Sequence, residues 1–411
     1  MAVPTPAVAS PPALATARPE QLDALVPAQT RALGQLGGDW VFLLRRSTLF
    51  GTLPSGQVTA TDRAVDTLIL VPLARPDTGA VAVATFLSNL GGGIAATNLI
   101  AAQLSPDGRR LVLSAGASGP QGGVRLALVV VDLSSGNMFT LTTDPTYHDD
   151  TPAWSPDGKW VAFTRRSVID GKDAGIWAIE PQAGSVPRGP FVGAVTTVGR
   201  RSLVYGWSPD GTWLAMSRGS DHYEFAHVPL ASCGPAPGGC VAMNLAGMSG
   251  DVSEGRDIAD WRQPAPPFVG VFVETPRGGV QSIQVAEAAT VQGRVVVRGT
   301  NENVLLQRPR WRPASDEFLY LETQIATGPR TTRLKIADAR TGAQREAFAR
   351  QEPLWAEWTP AGDEIVWVEA NGVAVAVRLV RADGSGERAI YGTGGVPEAD
   401  VITVDFGTLR F

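Results

Sequence analysis

A five-residue motif returns at a nearly constant interval along this chain, and no other feature restricts its fold as tightly. Leu104-Ser105-Pro106-Asp107-Gly108, Trp154-Ser155-Pro156-Asp157-Gly158 and Trp207-Ser208-Pro209-Asp210-Gly211 match almost literally. Weaker copies stand at Trp261-Arg262-Gln263-Pro264, Trp311-Arg312-Pro313-Ala314 and Trp358-Thr359-Pro360-Ala361-Gly362. The first residues of successive copies lie 50, 53, 54, 50 and 47 positions apart, a drift that loops of unequal length around one structural unit produce. Repetition at this period marks a repeat architecture rather than a string of unlike domains.

Each copy is followed by an apolar run that alternates with period two: Leu111-Val112-Leu113, Trp160-Val161-Ala162-Phe163, Trp213-Leu214-Ala215-Met216, Phe268-Val269-Gly270-Val271, Phe318-Leu319-Tyr320-Leu321 and Ile365-Val366-Trp367-Val368. Such β-branched and aromatic alternation specifies strand, and helical repeats of this length would need apolar residues three and four apart. Asp-Gly between two apolar runs is a hairpin signal, because Gly takes positive φ without steric cost. The Pro before it has no amide hydrogen, so pairing of the preceding strand ends there. The Trp that opens the motif suits a seam between neighbouring sheets. A third run closed by a turn (Val129-Val130-Val131-Asp132, Ile176-Trp177-Ala178-Ile179, Leu334-Lys335-Ile336-Ala337, Val377-Arg378-Leu379-Val380) and a shorter fourth complete a four-stranded unit.

Four antiparallel strands at this period form the blade of a β-propeller. Six copies account for residues from about 100 to 395. Upstream, Trp40–Leu44, Thr67–Val71 and Val81–Phe86 read as strands without a motif before them, and Val401–Val404 is a lone strand at the far end. The expected fold is therefore all-β: a seven-bladed β-propeller over residues 38–411, with a closing strand at 400–406 joining the first blade. Closure of this kind removes exposed sheet edges. Six blades with an irregular N-terminal extension is the alternative.

Composition narrows the function classes. Charged residues make up 18% of the chain and the net charge is −5, which argues against a surface dedicated to nucleic acid. No stretch reaches the roughly 18–20 apolar residues of a transmembrane helix. Residues 1–37 open with a Pro/Ala-rich run (Pro4, Pro6, Pro11, Pro12, Pro19), read as a tether, with a simple disordered tail as the alternative, and one possible short helix after it. Cys233 and Cys240 flank Gly234-Pro235-Ala236-Pro237-Gly238-Gly239, and a hairpin neck of that size brings Cα atoms within the roughly 4.4–6.8 Å of a disulfide. The bridge is expected, with two free thiols as the alternative, and it favours an oxidising compartment.

On these motifs the chain resembles the bacterial TolB-type propellers, whose repeats are described as WD40-like or PD40. The resemblance covers about residues 38–411 and rests on the three Ser-Pro-Asp-Gly copies. It implies a periplasmic or cell-surface binding module. Other propellers of this group belong to prolyl-oligopeptidase-like enzymes, and a few resemble lyases. The motif decays in the last three copies, and residues 20–36 are too few for an N-terminal domain like that of TolB.

The repeated Ser, Pro, Asp and Gly have turn-building reasons, and Asp107, Asp157 and Asp210 are expected to cap their own turns. His222-Tyr223-Glu224-Phe225-Ala226-His227 is a poor chelate, since on a strand 222 and 224 share one face and 227 lies on the other. Asp170-Gly171-Lys172-Asp173 reads as a hairpin turn rather than a calcium loop. No Gly-x-Ser-x-Gly elbow supports a hydrolase reading. No metal, cofactor or catalytic residue is expected. The candidate site lies where segments lead into the motif strands: His148, Asp149 and Asp150; Arg200 and Arg201; Arg256 and Asp257; and Arg308. Arg offers paired donors to carboxylates and acidic ligands; the alternative is that His148 and Asp149 pair with Arg200 and Arg201 and hold adjacent blades together. The expected function is a non-catalytic, extracytoplasmic module that binds a protein or acidic ligand on a propeller face. A glycan- or peptide-acting lyase or hydrolase in the central funnel, and a structural subunit of a surface assembly, are the alternatives.

Overall fold

The computed structural model describes residues 39–52, 58–73, 81–89, 102–118, 124–133, 135, 137–192, 202–218, 222–227, 243–249, 259–262, 269–274, 279–287, 293–325, 331–351, 353–371, 374–392, 400–403 and 408–410. The N-terminal tether and the Cys233/Cys240 pair lie outside them. Among the described residues every regular element is a strand, and neighbouring strands pair antiparallel.

The first three strands are β1 (Asp39–Thr52), β2 (Val58–Pro72) and β3 (Val81–Asn89). Sets of four follow. They are β4 (Ala102–Leu104), β5 (Arg110–Ser118), β6 (Val124–Asp132) and β7 (Met138–Thr140); then β8 (Tyr147–Trp154), β9 (Val161–Ser167), β10 (Asp173–Ile179) and β11 (Arg188–Val192). Next come β12 (Ser202–Trp207), β13 (Trp213–Arg218), β14 (His222–His227) and β15 (Met243–Ser249); then β16 (Ala259–Trp261), β17 (Val269–Glu274), β18 (Ser282–Glu287) and β19 (Gly293–Arg298). The last sets are β20 (Val304–Trp311), β21 (Glu317–Gln324), β22 (Thr331–Asp338) and β23 (Gln344–Gln351), and β24 (Pro353–Trp358), β25 (Glu364–Asn371), β26 (Ala374–Arg381) and β27 (Arg388–Gly392). Within each set the order in the sheet is the order in the chain. β28 (Asp400–Thr403) and β29 (Thr408–Arg410) both pair with β1, placing Ile402 opposite Arg45 and Leu409 opposite Trp40. The fold is an all-β propeller.

The motif builds the hairpin between the first two strands of a blade. Gly108 donates its amide to the Ser105 carbonyl at 2.8 Å, closing a four-residue turn with Pro106 at the second position. Gly108 itself sits at φ +69°, in the left-handed region that Gly enters freely. The Ser105 hydroxyl donates to Asp107 at 2.6 Å and accepts the Arg110 amide at 2.8 Å, while Asp107 accepts the Arg109 amide at 3.1 Å. The same three bonds recur at Ser155/Asp157 and Ser208/Asp210. Each Asp thus caps its own turn, as the sequence led us to expect. Asp170–Lys172 is likewise a turn between β9 and β10, with Gly171 at φ +67°.

The Trp of the motif joins neighbouring blades. In four of the five blades that carry it the indole N–H donates to a backbone carbonyl one residue before the motif of the preceding blade: Trp154 to Gln103 at 2.9 Å, Trp207 to Ala153 at 3.0 Å, Trp261 to Gly206 at 3.1 Å and Trp358 to Arg310 at 3.2 Å, whereas the buried Trp311 Nε1 has no hydrogen-bond partner. In those four the ring fills the seam while its one polar atom is satisfied, which is the condition for burying Trp cheaply. Arg110 and Arg312 lie over the Trp of the following blade, 5.0 Å from Trp154 and 5.1 Å from Trp358.

The core is a succession of layers between sheets. Val112, Leu128 and Val130 pack with Trp154, Val161 and Phe163 of the next sheet. On β21, Phe318 and Tyr320 face the preceding sheet with Trp261, Val271 and Val285, whereas Leu319 and Leu321 face the following one with Trp358, Ile365 and Trp367. Both faces of such a strand are buried, so its two side-chain rows are both apolar. Val366, Val368 and Val377 pack with Val41, Val71 and Leu73, so the last four-stranded sheet meets the sheet of β1 and β2.

Candidate functional site

β8 carries the first cluster of candidate residues, and all three are buried in it. Asp149 accepts two hydrogen bonds from one guanidinium, Arg165 Nε at 2.7 Å and Nη2 at 2.9 Å. Arg165 lies on the neighbouring strand β9, where Arg165 pairs with Asp149 in register, and its guanidinium stands 4.7 Å from the Tyr147 ring and 5.0 Å from that of Trp177. Burial pushes the Asp149 carboxyl up; Arg165 opposes it with both hydrogen bonds and charge, and the Thr142 hydroxyl adds a further bond. The Asp149 carbonyl accepts the Ser114 hydroxyl of the preceding sheet at 2.9 Å.

His148 is 6% exposed, and its Nδ1 accepts the Leu126 amide of the preceding sheet at 3.0 Å. An imidazole nitrogen that accepts cannot carry a proton, so the ring is neutral. Burial holds its pKa down to about 4, with Arg166 and Arg125 acting the same way and Asp150 opposing. Arg125 is 4% exposed; its Nη2 donates to the Thr142 carbonyl at 3.0 Å, while Nε and Nη1 have no partner. Asp150 accepts the amide of Thr151 at 2.6 Å, and Thr151 stands at φ +49° where β8 bulges. These contacts tie β8 to the blade before it and to its own neighbour β9.

Arg308 occupies the corresponding place on β20, half-buried at φ +54° in a bulge between Gln307 and Arg310. Thr151 and Arg308 each precede the motif Trp of their strand by three residues, so one bulge position recurs in two blades. Bulges re-aim the side chains on either side of them. Arg200, Arg201, Arg256 and Asp257 lie outside the described residues, and so does the proposed pairing of Arg200 and Arg201 with His148 and Asp149. Residues 222–227 form the strand β14. Among the described residues no group of three or more His, Cys, Asp and Glu side chains is arranged to hold a metal. Among them, too, no helix is long and apolar enough to cross a membrane.

Two further polar joints were not foreseen from the sequence. Asp173 of β10 accepts both the amide (3.1 Å) and the hydroxyl (2.9 Å) of Ser202 on β12, linking consecutive sheets. Asp260, Arg310 and Glu357 stand one residue before the motif Trp in three successive blades and form a connected chain, with Arg310 Nε 3.1 Å from Glu357 Oε2. Aligning the repeats one column further upstream (Gln103, Ala153, Gly206, Asp260, Arg310, Glu357) would have exposed this switch from neutral to charged residues.

No protein-family model and no curated protein matches this chain. Solved structures do. Prolyl oligopeptidase B from Galerina marginata aligns with a TM-score of 0.53 at 10% identity, over 88% of this chain and 51% of that one. The periplasmic gluconolactonase PpgL of Pseudomonas aeruginosa aligns with a TM-score of 0.51 at 13% identity, over 90% of this chain and 99% of that one. TolB from Acinetobacter baumannii aligns with a TM-score of 0.44 at 15% identity, over 85% of this chain and 62% of its own length. This chain therefore spans about half of the peptidase and less than two thirds of TolB. The fold class that the first two likenesses define is the β-propeller; the similarity to TolB is structural, at low sequence identity.

Proposed function

We propose that this chain is a seven-bladed propeller that works outside the cytoplasm as a non-catalytic binding module. It recognises a protein or acidic ligand through the segments that lead into the motif strands. The observation that carries the reading is a division of labour along those strands. The carboxylates of Asp107, Asp157 and Asp210, at the repeated position, are each closed off by their own turn. Repeated positions build the ring, which leaves recognition to the unrepeated leading segments, rich in Arg200, Arg201, Arg256 and Arg308. Pairing of β28 and β29 with β1 supports the closed ring of seven.

Charge reversal at Arg201 and Arg256 is expected to abolish capture of partners from native extract without changing the melting temperature. Unchanged capture refutes the binding face. Mass analysis without reductant is expected to find Cys233 and Cys240 bridged; two alkylatable thiols remove that support for an oxidising compartment. A hydrolase or lyase in the central channel is the second reading. It draws on the buried carboxyls of Asp260 and Glu357, whose oxygens already accept bonds from Trp amides and Arg310. Turnover of a glycan or peptide library that is lost in Glu357→Gln would put this reading first. Self-association at micromolar concentration in light scattering would instead favour a structural subunit.

A further inference from the structure

Where β8 meets the preceding blade, one buried carboxylate feels the charge of two buried guanidiniums. Asp149 gives both oxygens to Arg165 of its own blade, at 2.7 and 2.9 Å. Arg125, the second residue of β6 in the preceding blade, is 4% exposed and donates only through Nη2, to the Thr142 carbonyl at 3.0 Å. Its Nε and Nη1 have no partner among the described residues. Thr142 touches both groups, since its carbonyl takes Arg125 and its hydroxyl bonds to Asp149. The Asp149 charge acts on Arg125 as well as on Arg165. Idle donors on a buried guanidinium are costly, because nothing offsets the loss of their hydration.

The next seam shows the same place on the first strand bonded across blades. Ser202 and Asp149 both stand five residues before the Trp of their motif. Ser202 bonds to Asp173, the first residue of β10, which is the strand corresponding to β6. Asp149 turns to its own blade instead, yet Arg165 has other support. Its guanidinium lies 4.7 Å from the centroid of the Tyr147 ring, 5.0 Å from Trp177 and 5.3 Å from Phe163, and a ring face attracts a cation without any carboxylate. We propose that Asp149 has two settings, one on Arg165 and one on Arg125, and that the second locks the sheet of β4–β7 to the sheet of β8–β11 with a buried ion pair. In the locked setting the three rings hold Arg165 while Asp149 fills the idle donors of Arg125. Each setting makes one buried ion pair, so the two lie close in free energy, as a two-state element requires. The bonds from the Ser114 hydroxyl to the Asp149 carbonyl and from the Leu126 amide to His148 are the joint that both settings share.

Arg165→Met tests the exchange. With Asp149 passing to Arg125, the variant keeps a buried ion pair and loses only the ring contacts of Arg165. Denaturant titration of the full chain at neutral pH should then show the folding equilibrium constant falling by less than about ten-fold. A carboxylate confined to Arg165 would be left buried alone, a loss of about a hundred-fold or more. Adding Arg125→Met to the Arg165→Met chain removes the second partner and should bring that larger loss, making the two substitutions strongly non-additive. Crystals of Arg165→Met read the geometry directly: an Asp149 oxygen within hydrogen-bond distance of Arg125 Nε or Nη1 is expected. Arg165→Lys keeps a charge against the rings but loses the two-pronged donor, and should shift Asp149 the same way in a chain that is less disturbed. Unfolding or a hundred-fold loss in Arg165→Met, additive effects, or Asp149 away from Arg125 in both crystals overturns the proposal. No readout involves a partner, so the exchange and the binding-module reading fail separately.

Discussion

Replacing His148 by Asn tests whether the buried polar cluster of β8 is a joint between blades. The Asn oxygen can take over acceptance of the Leu126 amide, so the exchange removes the titrating ring and keeps the hydrogen bond. In the parent the folded state holds His148 at about 4 against about 6.5 when unfolded. A depressed histidine contributes its full stability above the unfolded value and loses it as pH falls toward the folded one. Integrating the difference gives about 1.4 kcal/mol lost between pH 7.5 and 5.5, and about 2.5 kcal/mol by pH 4.5. Solvent screening of the neighbouring charges trims the second figure to about half. The assay is a urea titration of parent and variant at pH 7.5, 5.5 and 4.5. Ordinary carboxylates respond equally in both proteins, so the informative quantity is the gap between the two curves. The parent should lose about 1–2.5 kcal/mol more than His148→Asn on going to pH 4.5. Parallel curves would refute the assignment of a neutral, amide-accepting imidazole.

Three other outcomes follow from the same contacts. Asp149→Ala leaves the Arg165 charge buried without its carboxylate and should cost about 3–5 kcal/mol in chemical denaturation, with Arg165→Met in the same chain recovering much of it. Trp207→Phe keeps the ring in the seam but deprives the Ala153 carbonyl of its donor; a loss of about 1–3 kcal/mol is expected, against about 3–5 kcal/mol for Trp207→Ala. Gly384→Ala places a methyl group on a φ of +81° and 2.3 Å from the Ala347 carbonyl oxygen, and a drop of about 1–3 kcal/mol should appear in its thermal melt.

The fold was legible because its determinants are local and repeated. Asp107, Asp157 and Asp210 act within two or three residues of themselves, so a motif states their role completely. The alternation Phe318-Leu319-Tyr320-Leu321 likewise specifies a strand buried on both sides. The candidate site was legible only by position. Asp149 reads from the sequence as part of the segment leading into the motif strand; it lies within β8 itself, and its partner is Arg165, sixteen residues away across a hairpin, which only the pairing register of β8 with β9 brings to it. Asp173–Ser202 and Asp260–Trp311 are more distant still, joining different sheets. A single sequence carries no local signal for a bond whose existence depends on how two independent units pack.

Decay of the motif in the last copies has a physical reading that the repeated sequence conceals. The backbone turn persists: the Arg312 and Thr359 amides bond to the Glu317 and Glu364 carbonyls at 2.9 Å, as the Ser105 amide does to that of Arg110 at 2.7 Å. What changes is the side-chain chemistry that fixes it. At Thr359 a hydroxyl is retained and its carboxylate partner moves to Asp363, at 3.0 Å, one residue beyond Gly362. At Arg312 the hydroxyl–carboxylate pair is replaced by an ion pair to Glu317 at 2.6 Å and by Nε donating to the Gly362 carbonyl of the next blade at 2.7 Å. The Ser-Asp version closes only its own turn, whereas the Arg312 version closes its turn and grips the following one. These are also the blades that carry Asp260, Arg310 and Glu357. Loss of the literal motif therefore coincides with ion pairs between side chains of neighbouring blades, Arg310–Glu357 and Arg262–Asp316, added to the Trp, apolar and hydrogen-bonded joints. In that half of the molecule, blade contacts should respond to salt more strongly than in the half where Ser-Pro-Asp-Gly is intact. Hydrogen exchange at high and low ionic strength reads this out directly: faster exchange in β20 and β24 at high salt, with β8 and β12 unchanged, is the expected pattern, and equal sensitivity in both halves would contradict it.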